Sequence, residues 1–107
     1  SKGVTPLMRA SAGGHVEAVR VLVQQEGGGV DGVRATDAQG WGAVRWSVER
    51  GQPGPLLVLL KALPEAEAVV MGRRALLRSA ELGLVACVRA VVEGVAWGRS
   101  LLQARDE

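Results

Sequence analysis

The sequence predicts an all-α fold in which three short helix pairs stack side by side, and three observations support this prediction. Fifteen glycines and four prolines in 107 residues divide the chain into short elements. Between them, apolar residues recur with the period of an α-helix. The glycines themselves recur at spacings of 37 and 32 residues in two aligned sets: Gly3, Gly40 and Gly72, and Gly14, Gly51 and Gly83. A period of this size is typical of a repeat architecture.

The core must be built from small aliphatic side chains, because the chain has 17 Val, 15 Ala and 13 Leu but no Phe, Tyr or Ile. The net charge of only +2 gives no indication of nucleic-acid or anionic-membrane binding. One Cys excludes an intrachain disulfide, and with a single His it leaves no cluster of soft metal ligands. No apolar run approaches the roughly 20 residues that span a bilayer. We therefore expect no metal, cofactor, nucleic acid or membrane as a partner.

The first unit contains the clearest local signals. Thr5 is a good N-cap, and a proline follows it at the first helical position, which predicts a short helix over Pro6–Ala12. Gly13 and Gly14 should end this helix in a tight turn. An apolar stripe then predicts a longer helix over Val16–Gln25. We expect the glycine-rich segment from Gly27 to Gly32 to be an extended connector.

The second and third units follow the same plan with weaker signals. Pro53 and Pro55 should lie in the first turn of the second unit's longer helix. The segment from Pro64 to Met71 should be a distorted hairpin connector. Ala10, Ser47 and Ser79 are small where two helices should pass closest. The predicted domain is 1–107, with units at 1–36, 37–69 and 70–95 and a partial unit at 96–107 that begins near Gly98.

The residues of the first unit resemble those of a known repeat family. Residues Gly3 to Gly27 resemble an ankyrin repeat, through Thr5-Pro6-Leu7, Ala10, Gly14-His15 and the Val19/Leu22/Val23 stripe. Gly29-Val30-Asp31 and the segment from Ala35 to Trp41 resemble the opening and tip of the family's hairpin loop. The family's His is replaced by Met8, and the Thr-Pro-Leu-His motif becomes Gly42-Ala43-Val44-Arg45 and Arg74-Ala75-Leu76-Leu77. The resemblance covers about residues 2–95 and implies an ankyrin-like solenoid with hairpin-like loops.

The resemblance also implies a binding surface, because loop tips and short helices line the concave side of such solenoids. Trp41 is the expected anchor, although packing on the neighbouring loop is an equally weighted alternative. Trp46 should be partly buried between repeats, and Trp97 should cover the end of the stack. The predicted partner-binding residues are Val4, Arg9, Ala38, Gln39, Trp41, Arg45, Trp46, Arg50, Met71, Arg73, Arg78 and Glu81, with Ala12 beside them.

Charge adds a hypothesis about the partner. Seven arginines fall on the predicted short-helix and loop side: Arg9, Arg34, Arg45, Arg50, Arg73, Arg74 and Arg78. Glu17, Glu65, Glu67 and Glu93 fall mostly on the longer helices and connectors. A basic groove would favour an acidic or phosphorylated segment, because arginine pairs well with carboxylates. Ordinary solvated surface charge is the competing interpretation.

The sequence does not predict an enzyme. His15 has no convincing catalytic partner, Cys87 is expected to be a small buried side chain, and the Gly27–Gly32 segment lacks the Gly-Lys-Ser/Thr ending of a phosphate loop. The predicted function is non-enzymatic binding of a protein or peptide. The alternative is a structural segment of a longer repeat protein, or a stack that self-associates through exposed repeat ends. An intracellular location, cytoplasmic or nuclear, is expected, with an upstream targeting segment left open because the chain starts at Ser1.

Overall fold

A computed structural model describes residues 3–25, 30–95 and 97, and these residues form seven helices with no named strand. The all-α prediction is therefore confirmed. The helices are α1 Pro6–Ala12, α2 Val16–Gln24, α3 Val30–Arg34, α4 Ala43–Glu49, α5 Pro53–Ala62, α6 Glu65–Leu82 and α7 Val85–Gly94. The predicted partial unit at 96–107 lies outside the described residues, apart from Trp97.

The helices pack in two layers. In the first layer α1 contacts α4 and α4 contacts α6, whereas in the second layer α2 contacts α5 and α5 contacts α7. Each first-layer helix also contacts the second-layer helix that follows it. The second-layer helix α5 lies at the centre, because it contacts all six other helices. This arrangement buries an apolar face that no single helix pair could cover alone.

One aliphatic core runs between the layers. Leu56, Leu59 and Leu60 of α5 are at most 1% exposed, and Val19 of α2 and Val91 of α7 are fully buried. Cys87 is buried in the same cluster, as expected. Burial of apolar surface stabilises a fold by about 25 cal/mol per Å². Since α5 supplies the largest of these side chains, it joins the other described helices into one packed body.

Thr5 is the N-cap of α1, as predicted, but the side chain that completes the cap is unexpected. The Thr5 Oγ1 atom accepts a hydrogen bond from the backbone N–H of Met8 at 3.2 Å. The backbone N–H of Thr5 in turn donates to the Met8 sulfur at 3.4 Å. This is a capping box in which a thioether replaces the usual carboxylate or amide. Met8 is fully buried, so the residue at the family's His position closes the helix start within its own unit.

The predicted glycine register is present at the turns between the two layers. Gly14, Gly51 and Gly83 have φ angles of +76°, +67° and +72° and follow α1, α4 and α6. A side chain in this left-handed conformation clashes with the backbone, which explains why glycine recurs there. Gly3 and Gly40 share the conformation, with φ of +76° and +82°.

Both connectors differ from the prediction. Residues 27–29 of the first connector lie outside the described residues, and the part that follows, Val30–Arg34, is helical rather than extended, with Val33 buried at 1% exposure. The expected hairpin between the second and third units is absent: α6 is one continuous helix of 18 residues from Glu65 to Leu82. Glu65 and Glu67 stabilise its first turn, where the helix dipole favours negative charge. The aligned Gly72 is therefore a buried helical residue and not a loop residue.

The three aligned small positions lie in the interior of the stack. Ala10, Ser47 and Ser79 are all buried. The Ser47 hydroxyl donates to the Ala43 carbonyl at 2.8 Å, which is the back-bonding expected of a serine inside a helix. Trp97 is partly buried and packs against the core, which is consistent with the predicted cover at this end of the stack.

Candidate functional site

The loop between the first and second units is a tight hairpin. Thr36 and Gly42 form an antiparallel bridge, the backbone N–H of Asp37 donates to the Trp41 carbonyl at 2.9 Å, and the N–H of Gly40 donates to the Asp37 carbonyl at 3.0 Å. The hairpin-like loop expected here is therefore present. Its tip carries two of the predicted site residues, Ala38 and Gln39, both exposed.

The carboxylate of Asp37 organises this hairpin. Its Oδ1 atom accepts from the backbone N–H groups of Gln39 at 2.9 Å and Trp41 at 3.0 Å, and its Oδ2 atom accepts from the Trp46 indole at 3.0 Å. Desolvation alone would raise the pKa of Asp37, but these hydrogen bonds outweigh it and lower the pKa below its ordinary value. Asp37 is not among the predicted site residues, although an Asp three positions before a Gly is a typical turn signal.

Two tryptophans and two arginines stack beside the hairpin; we call Trp41, Arg45, Trp46 and Arg50 the Trp–Arg cluster. The rings of Trp41 and Trp46 are 5.0 Å apart with an interplanar angle of 66°, an edge-to-face contact. The Arg45 guanidinium lies 4.7 Å from the Trp41 ring, and that of Arg50 lies 5.8 Å from the Trp46 ring. Both tryptophans remain partly exposed. Trp41 thus packs on its neighbour and also presents surface to solvent.

A cleft of about 500 Å³ is lined by residues of α4 and α6, and we call it the α4–α6 cleft. Four predicted site residues line it: Arg45, Met71, Arg78 and Glu81. Arg74 lines it too. Arg73 does not line the cleft. The α6 residues that do, among them Met71, Arg74 and Arg78, are three or four positions apart and so share one face of the helix, whereas Arg73 lies on another face. The unexpected continuity of α6 therefore decides which of the two neighbouring arginines reaches the cleft.

A smaller pocket of about 250 Å³ lies between α1 and α4, and we call it the α1–α4 pocket. Val4, Arg9, Trp46 and Arg50 of the predicted set line it, together with Met8, Ala12 and Gly13. Ten of the twelve predicted residues thus divide among this pocket, the α4–α6 cleft and the hairpin tip. Of the other two, Trp41 packs on Trp46, and Arg73 lines neither cavity.

Internal carboxylates neutralise much of the predicted positive charge. Arg78 donates to both oxygens of Glu49, with Nε–Oε2 and Nη2–Oε1 distances of 2.6 Å and 3.1 Å, and these bonds lower the pKa of Glu49. The Nε atom of Arg45 lies 3.5 Å from the same carboxylate. Arg34 forms a two-pronged pair with Glu67, whose pKa is lowered in the same way. These three arginines therefore do not supply free positive charge to a groove.

The remaining arginines of the set are Arg9, Arg50, Arg73 and Arg74. None of them forms an ion pair with another described residue. This division could not be predicted from the sequence, because Glu49 pairs with an arginine 29 positions away and the local sequence gives no sign of such a contact.

His15 and Cys87 are the two residues that the sequence offered as candidates for catalysis. His15 is exposed at the start of α2, and its side chain makes no capping hydrogen bond. Burial raises the pKa of the Cys87 thiol, which disfavours the reactive thiolate. Within ranges 3–25 and 30–95, no group of His, Cys, Asp and Glu side chains is arranged to hold a metal ion. Among the helices of these ranges, none combines the length and apolarity needed to cross a membrane.

Comparison with known proteins gives one match. The family model for the ankyrin repeat matches residues 2–38, which include α1, α2, α3 and the first part of the hairpin. No curated protein and no solved structure matches the chain.

Proposed function

We propose that this chain binds a partner protein or peptide without catalysing a reaction, because its residues 2–38 match the ankyrin-repeat family model and ankyrin repeats are generally protein-interaction modules. The binding surface would be the hairpin tip together with the exposed side of α1, α4 and α6, the concave side of an ankyrin stack. Ankyrin repeats are typically non-enzymatic. The fold supplies a rigid scaffold on which such a surface can be displayed.

The observation that carries this proposal is the Trp–Arg cluster. Tryptophan and arginine provide a disproportionate share of the binding energy at protein interfaces. Here the rings are held by the edge-to-face contact of Trp41 with Trp46 and by the Asp37 hydrogen bonds, yet both remain partly exposed. A fixed aromatic surface loses little conformational entropy when a partner docks, which favours affinity.

An acidic segment is the partner chemistry that we propose. Arg9, Arg50 and Arg74 line the α1–α4 pocket or the α4–α6 cleft and are free of internal ion pairs among the described residues. Unpaired guanidinium groups at a surface favour carboxylate partners.

The experiment selects binders for the whole chain from a random peptide library, then measures the affinity of the enriched peptides by calorimetry. We expect enrichment of sequences with acidic residues and a loss of about tenfold or more in affinity for Trp41→Ala, which removes a hot-spot side chain. Val85→Ala is the matched control, because Val85 is 66% exposed on the second layer. Absence of enriched peptides, or equal affinities for the wild type and Trp41→Ala, would reject the proposed surface.

A second candidate function is a structural one, in which copies of the chain or further repeats pack against its end. Its support is the exposure of Val70 at 51%, Leu82 at 41% and Val85 at 66%, all in the third unit. Sedimentation velocity over a range of concentrations tests self-association. A sedimentation coefficient that is constant over a wide range of concentrations would exclude a self-stacking chain.

A further inference from the structure

The α1–α4 pocket differs from the α4–α6 cleft in whether carboxylates of the chain pair with its arginines. Arg9 and Arg50 line the pocket, both are exposed, and neither forms an ion pair with another described residue. No acidic side chain lines this pocket. In the cleft, by contrast, Arg78 is bound at both prongs by Glu49. A carboxylate arriving from outside would therefore compete with an internal acid at Arg78 but not at Arg9 or Arg50.

The helix ends around the pocket reduce its positive charge without cancelling it. Arg9 lies in the last turn of α1, and Arg50 is the C-cap residue of α4. A helix carboxyl terminus carries about half a negative charge. The carboxyl ends of α1 and α4 together carry about −1, and the two guanidinium groups carry +2, so the net charge at the pocket is about +1. That charge matches a single carboxylate better than a phosphate group, which carries about −1.5 to −2 at neutral pH.

The walls of the pocket are fixed before any ligand arrives. The Trp46 indole is held by its hydrogen bond to Asp37 at 3.0 Å, and the fully buried Met8 side chain accepts a hydrogen bond from the backbone N–H of Thr5. Arg50 lies 5.8 Å from the Trp46 ring, a contact that orients its guanidinium. A volume of about 250 Å³ suits one side chain and not a folded element.

From these observations we infer that the α1–α4 pocket is a subsite for one carboxylate side chain of the partner segment, held by Arg9 and Arg50 against the Trp46 ring. The partly exposed apolar residue Val4 beside it favours an aliphatic neighbour in the same segment. This inference rests on the proposed function, because it assigns one acidic side chain of the partner to a defined position.

The test is a nuclear magnetic resonance titration of the whole chain with three probes: acetyl-Leu-Glu-Leu-amide, its glutamine counterpart and its phosphoserine counterpart. We expect the glutamate peptide to shift the Nε–Hε signals of Arg9 and Arg50 and the indole signal of Trp46. The glutamine peptide should leave them unchanged, because a neutral amide cannot form the charge-assisted pair.

Variants test the assignment of the site. Arg9→Gln and Arg50→Gln should each weaken binding of the glutamate peptide about five- to tenfold, whereas Arg89→Gln should change it less than twofold. Arg89 is a matched control, since it is an exposed arginine on α7 without an ion pair among the described residues. All these side chains are exposed, so the variants should retain the fold.

Three results would overturn the inference. A titration whose shifts centre on Arg74 would move the acidic side chain to the α4–α6 cleft while leaving the proposed function intact. If the phosphoserine peptide bound more tightly than the glutamate peptide, and this binding depended on Arg9 and Arg50, the pocket would be a phosphate site and not a carboxylate site. Absence of shifts with every probe would remove the subsite, and the proposed function would then depend on the separate library selection with Trp41→Ala.

Discussion

At the scale of single residues, Asp37 connects the hairpin to the aromatic surface. One carboxylate accepts from two backbone N–H groups of the loop and from the indole of α4. Asp37→Asn replaces one acceptor oxygen by an NH₂ group and so leaves at least one donor unpaired. We expect a lower Tm by several degrees and a weaker near-ultraviolet circular dichroism signal from Trp41 and Trp46.

The control for this prediction is Asp31→Asn. The Asp31 side chain is 91% exposed and its contact with Arg34 is at 3.5 Å, so its loss should have little effect on stability. Equal Tm values for Asp37→Asn and the wild type would show that the three hydrogen bonds do not hold the loop.

The carboxylates of Asp37, Glu49 and Glu67 give the protein a pH-dependent stability. Each has a pKa lowered in the folded state, so each contributes stability above its ordinary unfolded pKa that is lost as the pH falls through the folded value. We expect the Tm to fall as the pH is lowered from about 5 to about 3, since unfolded Asp and Glu titrate near 3.9 and 4.3.

Glu49→Gln should make this acid dependence shallower, because the folded-state contact with Arg78 no longer titrates. The matched control is Glu93→Gln, since Glu93 is exposed on α7 and forms no ion pair among the described residues. Thermal unfolding followed by circular dichroism at several pH values measures the slope. A slope that Glu93→Gln reduces as much as Glu49→Gln would assign the dependence to general charge.

At the scale of elements, α5 is the helix on which the others depend. Leu59 is completely buried, so Leu59→Ala removes packed apolar atoms and leaves a cavity. We expect a loss of about 2–5 kcal/mol in the free energy of unfolding, measured by chemical denaturation. Leu82→Ala, at a position that is 41% exposed, should cost much less. Similar losses for the two variants would contradict the central packing of α5.

The end of α6 depends on the left-handed conformation of Gly83. Its φ angle is +72°, and a Cβ atom built there meets no atom within 4 Å, so a substitution tests the backbone alone. Gly83→Ala should cost about 1–2 kcal/mol in the free energy of unfolding. Gly83→Asn should cost less, because asparagine adopts this conformation more readily. Equal costs for alanine and asparagine would indicate that the turn rearranges.

At the scale of the whole molecule, the contacts of α5 with every other helix predict how the stack opens. In a stacked repeat protein each unit is stabilised mainly by its neighbours, so the units at the ends open before the centre. We expect the backbone amides of α5 to exchange with deuterium most slowly, measured by nuclear magnetic resonance, and those of α1 and α7 to exchange sooner. Slower exchange in α7 would place the most stable unit at one end.

The sequence by itself determined the helix pairs, their glycine turns and the first hairpin. These features depend on contacts within a few residues: the cap at Thr5, the left-handed glycines and the 3.6-residue apolar stripe of α2. The resemblance to an ankyrin repeat came from the same local pattern, since the family model matches residues 2–38.

Only the tertiary structure decided the rest. The hairpin expected before the third unit became part of α6, because packing against α4, α5 and α7 buries a continuous helical face there. Because α6 is continuous, Arg74 lines the cleft and Arg73 does not. Glu49 neutralises Arg78, which lies 29 positions further along the chain. Such pairs depend on which helices become neighbours. Local propensity contains no information about that choice, so the free charges around Arg9 and Arg50 emerged only once the helices were stacked.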